Sequence, residues 1–258
     1  MIITLSPSKG QDFETRAATT KFSLPQQLEQ TQLLVNAAKS LDIEAVRALM
    51  SVSENIARLT VARFDQFEVP FTLQNAKQAL YAFTGDVYSA IEVKKYSAET
   101  IDFAQKHLRI LSGLYGYVRP LDLIQAYRLE MKTKLENPRG ANLYTFWDQR
   151  ITQLLNQDLR AQAEPVLVNL ASNEYFRSIK IKQLEGELLN INFKESKDGK
   201  TRVIAIFAKR ARGLMANWII QHRIEKREAL KTFDLDGYKF DAALSDEGQW
   251  TFSRPQPA

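Results

Sequence analysis

The spacing of apolar residues divides the chain into stretches of period two and stretches of helical period. Residues 2–5 are mostly apolar and β-branched and run into Ser6-Pro7, where the residue before proline is driven out of the helical region; a short buried strand followed by a loop is predicted. Pro25 opens a helix with Leu28, Leu33 and Leu34 on one face, and helical spacing continues through 42–50, 53–64 and 74–83. A further helix starts at Ser97-Ala98-Glu99, carries Phe103, Leu108 and Leu111, and stops at Gly113. The next stretch, Gly113-Leu114-Tyr115-Gly116-Tyr117-Val118-Arg119-Pro120, reads as a tight turn from which a helix resumes around Ile124. Residues 143–159 form a helix that Pro165 keeps from extending, and 166–170 are apolar enough for a fully buried strand. Residues 188–193 and 201–207 are two strands of a hairpin turned at Lys197-Asp198-Gly199-Lys200. The rhythm then becomes helical, with Leu214, Met215, Trp218 and Ile219 on one face. The tail, 238–252, reads as two short strands broken at 245–248, and 254–258 as frayed. With no repeat, low-complexity stretch or linker, the expectation is one compact α/β domain over 1–258, of mixed α+β character, with a central mixed sheet and many helices.

Composition narrows the class. A chain of 258 residues with 45% hydrophobic content buries a large core without a covalent staple. It has no cysteine, which excludes disulfides, thiolate metal sites and cysteine nucleophiles and favours a reducing compartment, so the cytoplasm is expected. The apolar run before Ser6 is too short for a signal sequence, and no run is long enough to span a bilayer, so the chain is expected neither in nor across a membrane. Net charge is +5, and the positive excess lies in 101–150 and 201–258. Contact with a polyanion is compatible with that distribution.

Three segments carry candidate chemistry. Lys209-Arg210-Ala211-Arg212-Gly213 falls where the strand 201–207 is expected to give way to a helix beginning near Arg212. Cations at a helix N-terminus oppose the macrodipole, so their placement there points to an anion site; a solvated charge run is the plain alternative. Leu111-Ser112-Gly113-Leu114-Tyr115-Gly116 has the hydrophobic-x-Gly-hydrophobic-x-Gly spacing of helix-hairpin-helix modules, whose glycines let backbone N–H groups approach a phosphate. Arg109 precedes it, and Arg119, Arg128, Lys132 and Lys134 follow; the plain alternative is a glycine helix cap with a tight loop. Lys9, in Ser6-Pro7-Ser8-Lys9-Gly10, sits at a strand end, where open α/β sheets place ligands, although the phosphate-loop spacing is absent. His107 and His222 are far apart and neither has ligand spacing, and no Gly-x-Ser-x-Gly nucleophile turn exists. No metal site and no cofactor is expected.

Six blocks resemble the YaaA family in order along nearly the whole chain: Ser6-Pro7-Ser8-Lys9; Phe83-Thr84-Gly85-Asp86-Val87-Tyr88; Leu111 to Gly116 with Arg119-Pro120-Leu121-Asp122; Tyr127-Arg128-Leu129-Glu130-Met131; Asn169-Leu170-Ala171-Ser172-Asn173-Glu174-Tyr175-Phe176; and Ala208-Lys209-Arg210-Ala211-Arg212-Gly213-Leu214-Met215. The family's Ser-Pro-Ala-Lys stands here as Ser-Pro-Ser-Lys. The resemblance implies a cytoplasmic bacterial protein of hydrogen peroxide resistance that keeps free iron low and limits DNA damage. It also implies a positively charged cleft and a helix-hairpin-helix element, here about 99–134, that binds duplex or branched DNA. Carried over, the DNA-binding residues would be Lys9, Arg109, Gly113, Tyr115, Gly116, Arg119, Arg128, Lys209, Arg210 and Arg212.

The leading expectation is therefore binding of DNA through phosphate and shape with little sequence specificity. The alternative is an enzyme on a phosphate-bearing or nucleotide-like ligand, with the scattered polar blocks converging on one pocket and Glu130 or Glu174 as acid or base; plain ion pairs are the competing role for both glutamates. Direct iron sequestration accords poorly with two histidines and no cysteine. The sequence carries no sign of oligomeric state.

Overall fold

The computed structural model describes residues 1–257. In chain order its strands are β1 (Ile2–Leu5), β2 (Lys77–Gln78), β3 (Leu108–Ser112), β4 (Gly116–Val118), β5 (Leu123–Ile124), β6 (Val166–Asn169), β7 (Glu187–Lys197), β8 (Lys200–Arg202), β9 (Lys239–Phe240) and β10 (Gln249–Pro255). Its helices are α1 (Leu28–Lys39), α2 (Ile43–Met50), α3 (Glu54–Asp65), α4 (Ala79–Ala82), α5 (Ala98–His107), α6 (Leu143–Trp147), α7 (Arg150–Arg160), α8 (Asn173–Phe176) and α9 (Ala205–Gln221). The result is one α/β domain around a mixed sheet ordered β4-β3-β1-β6-β7-β10-β9.

Strands β3, β1, β6, β7 and β10 run parallel, while β4 and β9 close the edges antiparallel. β7 outruns β6, and β8 pairs with its free edge beyond Glu195. β1, β6 and β3 are buried throughout, as expected of strands covered on both faces. β7 alternates, with Leu189, Ile191, Phe193 and Glu195 turned inward. Glu195 is wholly buried; its carboxylate accepts from the Tyr238 hydroxyl and the Ile204 N–H at 3.2 Å and faces Arg254 at 3.6 Å.

Local signals held where the element is self-contained. Asp42 caps α2 by accepting from the Ala45 N–H at 2.8 Å, and α3 starts after Ser53 as the pattern predicts. The 74–83 segment is instead a two-residue strand followed by one helical turn, since Lys77 and Gln78 pair with β5. The helix expected to run to Gly113 ends at His107, because Leu108, Arg109 and Ile110 pair with Ile3, Thr4 and Leu5 of β1.

That pairing changes the glycine-rich segment. Residues 113–115 join β3 to β4, whose register sets Ser112 opposite Gly116, so a β-hairpin stands where a helix-hairpin-helix was expected. No helix resumes at Ile124, which lies in β5. The helix expected over 143–159 breaks at Asp148, with φ of 42°. The strand expected over 201–207 is only β8, and α9 starts at Ala205, so the Lys209 to Gly213 motif lies inside the helix rather than at its N-terminus. Arg254 and Pro255, expected to be frayed, belong to β10, paired with Glu195 and Ser196; Ala258 is outside the described residues.

Candidate functional site

β1 has β3 on one side and β6 on the other, so the chain leaves it in opposite directions and a crevice opens at the carboxyl ends of β1 and β6. The loop after β1 (6–11), the loop at 84–87, the segment 127–132, the loop after β6 with α8 (170–175) and one face of α9 enclose a cleft of about 730 Å³ there. The polar blocks, scattered in sequence, meet at this cleft.

Each wall is fixed by hydrogen bonds from distant parts of the chain. The Tyr88 hydroxyl donates to the Ser6 carbonyl at 2.8 Å, and the Ser172 N–H donates to Ser6 Oγ at 2.8 Å. The Thr84 N–H donates to Ser8 Oγ at 3.1 Å, and the Tyr127 N–H to Gln11 Oε1 at 3.0 Å. Asn169 Oδ1 accepts from the Ala171 N–H at 2.9 Å, turning the chain into α8.

The two glycines of the hairpin serve this site by packing. A Cβ on Gly113 would stand 2.3 Å from the Leu129 carbonyl oxygen, so only glycine lets β3 approach the segment that carries Arg128 and Glu130. Gly116, at φ 75°, lies against the Trp147 ring, whose Nε1 donates to the Gly113 carbonyl at 2.9 Å. Both turn positions and Tyr115 are buried, and the Tyr115 hydroxyl accepts from the Gln125 N–H at 3.0 Å. A phosphate contact by these backbone groups is not available in this fold.

The remaining candidates separate cleanly. Arg109 is 4% exposed, pairing Nε and Nη2 with both Asp158 oxygens at 2.7 Å, and Tyr117 donates to the same carboxylate. Arg119 is held by buried Asp122 at 2.8 Å and donates to the Leu24 carbonyl. Within α9, Lys209 and Arg212 are three residues apart and line the cleft, whereas Arg210 points to another face, 3.9 Å from Asp236. Lys9, Arg128, Glu130, Glu174, Lys209 and Arg212 are thus brought together, while Arg109, Gly113, Tyr115, Gly116, Arg119 and Arg210 are not.

Charge in the cleft is unbalanced. Lys9, Arg128, Lys132, Lys209 and Arg212 face three carboxylates, Asp86, Glu130 and Glu174. Glu130 collects three of the cations, Lys9 at 3.1 Å, Arg128 at 3.3 Å and Lys132 at 3.5 Å. Burial would raise the Glu130 pKa, but the Lys9 hydrogen bond and the charges of Lys9, Lys132 and Arg128 outweigh it and hold the carboxyl below its ordinary range. That makes Glu130 an ionised anchor rather than a proton donor near neutral pH. Arg212 has no carboxylate partner among the described residues, and burial lowers its pKa. The Nε atoms of Arg128 and Arg212 are both buried with no hydrogen-bond partner. Glu174 accepts from the Lys132 N–H at 3.3 Å. Tyr175 is pushed above the usual phenol value, chiefly by burial and then by Tyr127, Glu174 and Glu130, so it remains a neutral hydroxyl.

Asp86 and Tyr175 join the site from blocks the sequence displayed without assigning them a role there, and Lys132, read only among the basic residues after the glycine turn, joins it as well. Arg63 on α3 is a neighbour with no motif of its own: burial, then the charge of Arg128, lowers its pKa. His107 is buried, stacked on Phe103 with ring centroids 4.1 Å apart, with Nδ1 2.9 Å from the Met1 carbonyl. Among the described residues no three His, Asp or Glu side chains gather where a metal ion could be held. No helix among them is long and apolar enough to cross a membrane.

A family model described as "Peroxide stress protein YaaA" matches residues 1–244. The chain is 52% identical over 256 residues to a UPF0246 protein of Psychromonas ingrahamii, covering 99% of this chain and 100% of that one. It is 48% identical over 256 residues to UPF0246 proteins of Alteromonas mediterranea and Colwellia psychrerythraea, with 99% of this chain covered in both and 99% and 100% of theirs. With a family match over residues 1–244 and relatives near half identity over nearly the whole chain, the chain belongs to the YaaA family of peroxide stress proteins.

Proposed function

We propose that this peroxide stress protein binds a phosphate-bearing nucleotide unit in the cleft, and that DNA is the source of that unit. The observation that carries the reading is the pair of arginines, Arg128 and Arg212, whose buried Nε donors lack partners in a cleft with surplus positive charge. An unpaired buried donor is costly, and a phosphate oxygen is the acceptor that guanidinium geometry suits best. DNA would enter as a strand or strand end rather than lie across a hairpin, since the hairpin glycines are buried. Lys9 and Lys132, whose side chains are 62% and 65% exposed, stand at the mouth where a neighbouring phosphate would pass.

A free nucleotide offers the same phosphate and is the second reading, supported by the location of the cleft at the point where strand order reverses. Glu130 then orients Lys9 and Arg128 instead of performing acid or base chemistry, and no reaction is part of the proposal.

Titration of a fluorescent single-stranded oligonucleotide, a blunt duplex and a mononucleotide against wild type, Arg212→Gln, Lys209→Gln and Arg210→Gln tests it. The expected result is at least tenfold weaker binding in Arg212→Gln and a smaller loss in Lys209→Gln, with Arg210→Gln unchanged. Equal affinity for wild type and both cleft variants, or no binding of any of the three ligands at low salt, defeats the proposal. Preference for the strand over the mononucleotide identifies DNA as the source; the reverse identifies a free nucleotide.

A further inference from the structure

Outside the cleft, a second cavity of about 590 Å³ is lined by Arg139, Tyr144, Thr145, Asp148, Arg150 and Lys180. We propose that it is a separate binding site for an oxyanion of the phosphate class, taken up by Arg139, Arg150 and Lys180. The site does not depend on the reading of the cleft.

Three independent features carry the assignment. First, the lining holds three cations against the single carboxylate of Asp148. That carboxylate meets Lys180 only at 3.6 Å, and both side chains are partly exposed, so the pair is weak and Lys180 is released to an incoming anion at little cost. Second, Arg139 is fixed but not satisfied. Its Nη2 donates to Gln30 Oε1 on α1, and its guanidinium lies 4.5 Å from the centroid of the Phe146 ring, yet its Nη1 is buried with no hydrogen-bond partner. Burial, and then the charge of Arg150, lowers the Arg139 pKa, and both side chains line this one cavity. Third, the backbone is shaped for this arrangement. Asp148 takes φ of 42° and ψ of −114°, outside the helical regions, and so breaks the chain into α6 and α7. Arg150 thereby becomes the first residue of α7, an eleven-residue helix, at the end where the macrodipole disfavours a cation. An anion bound there relieves that opposition and gains the free N–H groups of the first turn.

The cavity exceeds a bare ion, so a phosphate that carries an organic substituent fits its chemistry; the Tyr144 ring, itself covered by Arg177 at 4.9 Å, supplies a flat wall. Tyr144 also joins this site to the cleft, because its hydroxyl donates to the Glu174 carbonyl at 2.9 Å. The anion could come from a free phosphate compound or from a strand that also enters the cleft, and the test separates these sources.

Inorganic phosphate is titrated by calorimetry into the full chain carrying Lys9→Gln and Arg212→Gln, so that the cleft is disabled, and into the same protein with Arg150→Gln or Arg139→Gln added. The expected result is one phosphate bound by the cleft-disabled protein and at least a tenfold loss of affinity on adding either arginine change. Arg150→Gln is the decisive variant, because Arg139 also packs on Phe146 and its loss could perturb folding; circular dichroism and melting temperature check both. No phosphate binding by the cleft-disabled protein, or binding unaltered by Arg150→Gln, overturns the site. Once the site is established, a ten-nucleotide strand is titrated against wild type and Arg150→Gln: weakened strand binding makes the strand the source, and unchanged strand binding makes it a free phosphate compound. Failure of both Lys209→Gln and Arg212→Gln to weaken nucleotide binding would defeat the cleft reading alone and leave this site untouched.

Discussion

Gly213 lies so close to the Val87 carbonyl that a Cβ at this position would stand 2.0 Å from its oxygen, with the Ala90 Cβ at 3.0 Å. This contact draws α9 onto the loop at 84–87 and so sets Lys209 and Arg212 over the cleft. Gly213→Ala should destabilise the fold by about 1–3 kcal/mol, the usual range for overpacking, and should weaken phosphate binding by the folded protein because α9 is pushed outward. Urea denaturation and nucleotide titration read the two effects. An alanine variant with wild-type stability and affinity would show that the backbones can separate without consequence.

The Arg109–Asp158 pair is buried and doubly hydrogen-bonded, so its role is structural. Asp158→Ala should cost about 3–5 kcal/mol because a buried guanidinium loses its partner, while affinity per folded molecule stays the same. Chemical denaturation together with titration of the folded fraction measures this. A pure affinity loss at unchanged stability would return Arg109 to the binding surface.

Glu130 sets a sign for pH. Its folded pKa lies below the ordinary 4.5, so the stabilisation from its ion pairs is full above that value and is lost as pH falls through the lower folded value. The stability gap between wild type and Glu130→Gln should be present at neutral pH and close as the solution is acidified below about 4.5. Denaturation midpoints across pH settle it, and a gap that widens in acid contradicts the assignment. At neutral pH the same substitution frees Lys9 and Arg128 from a competing carboxylate, so phosphate affinity should rise.

Salt dependence distinguishes a cleft from a long basic surface. With two or three phosphates neutralised on a single strand, the slope of log affinity against log salt should be roughly −1.4 to −2.1. A slope near −4 or steeper would mean that the strand is held along a track extending well beyond the cleft.

Much of this architecture is visible in local patterns, and the failures have a common cause. The helical spacing over 42–50, the spacing along α3 and the unbroken apolar run of β6 carry their own information. Phe103, Leu108 and Leu111 also fit a helix, and only pairing with β1, far away in sequence, turns Leu108 into a strand residue. Gly113 and Gly116 have the spacing of a phosphate-binding turn, but what they approach is the Leu129 backbone and the Trp147 ring. The convergence of the polar blocks on one pocket was legible as a scatter of chemistry without a local structural purpose. The separation of Arg210 from Lys209 and Arg212 was not, because it depends on α9 beginning at Ala205, inside an apolar run that reads equally well as strand. Arg63 reaches the vicinity of Arg128 from a helix with no distinguishing pattern.

The loop carrying Lys9 is held by Tyr88 and by Ser172, and the opposite wall belongs to α9. During synthesis Lys9, Arg128 and Glu130 emerge before Lys209 and Arg212, which the last long helix supplies. Without Lys209 and Arg212 the remaining cations of the cleft, Lys9, Arg128 and Lys132, only match the carboxylates Asp86, Glu130 and Glu174, so its surplus positive charge is complete only once α9 has docked.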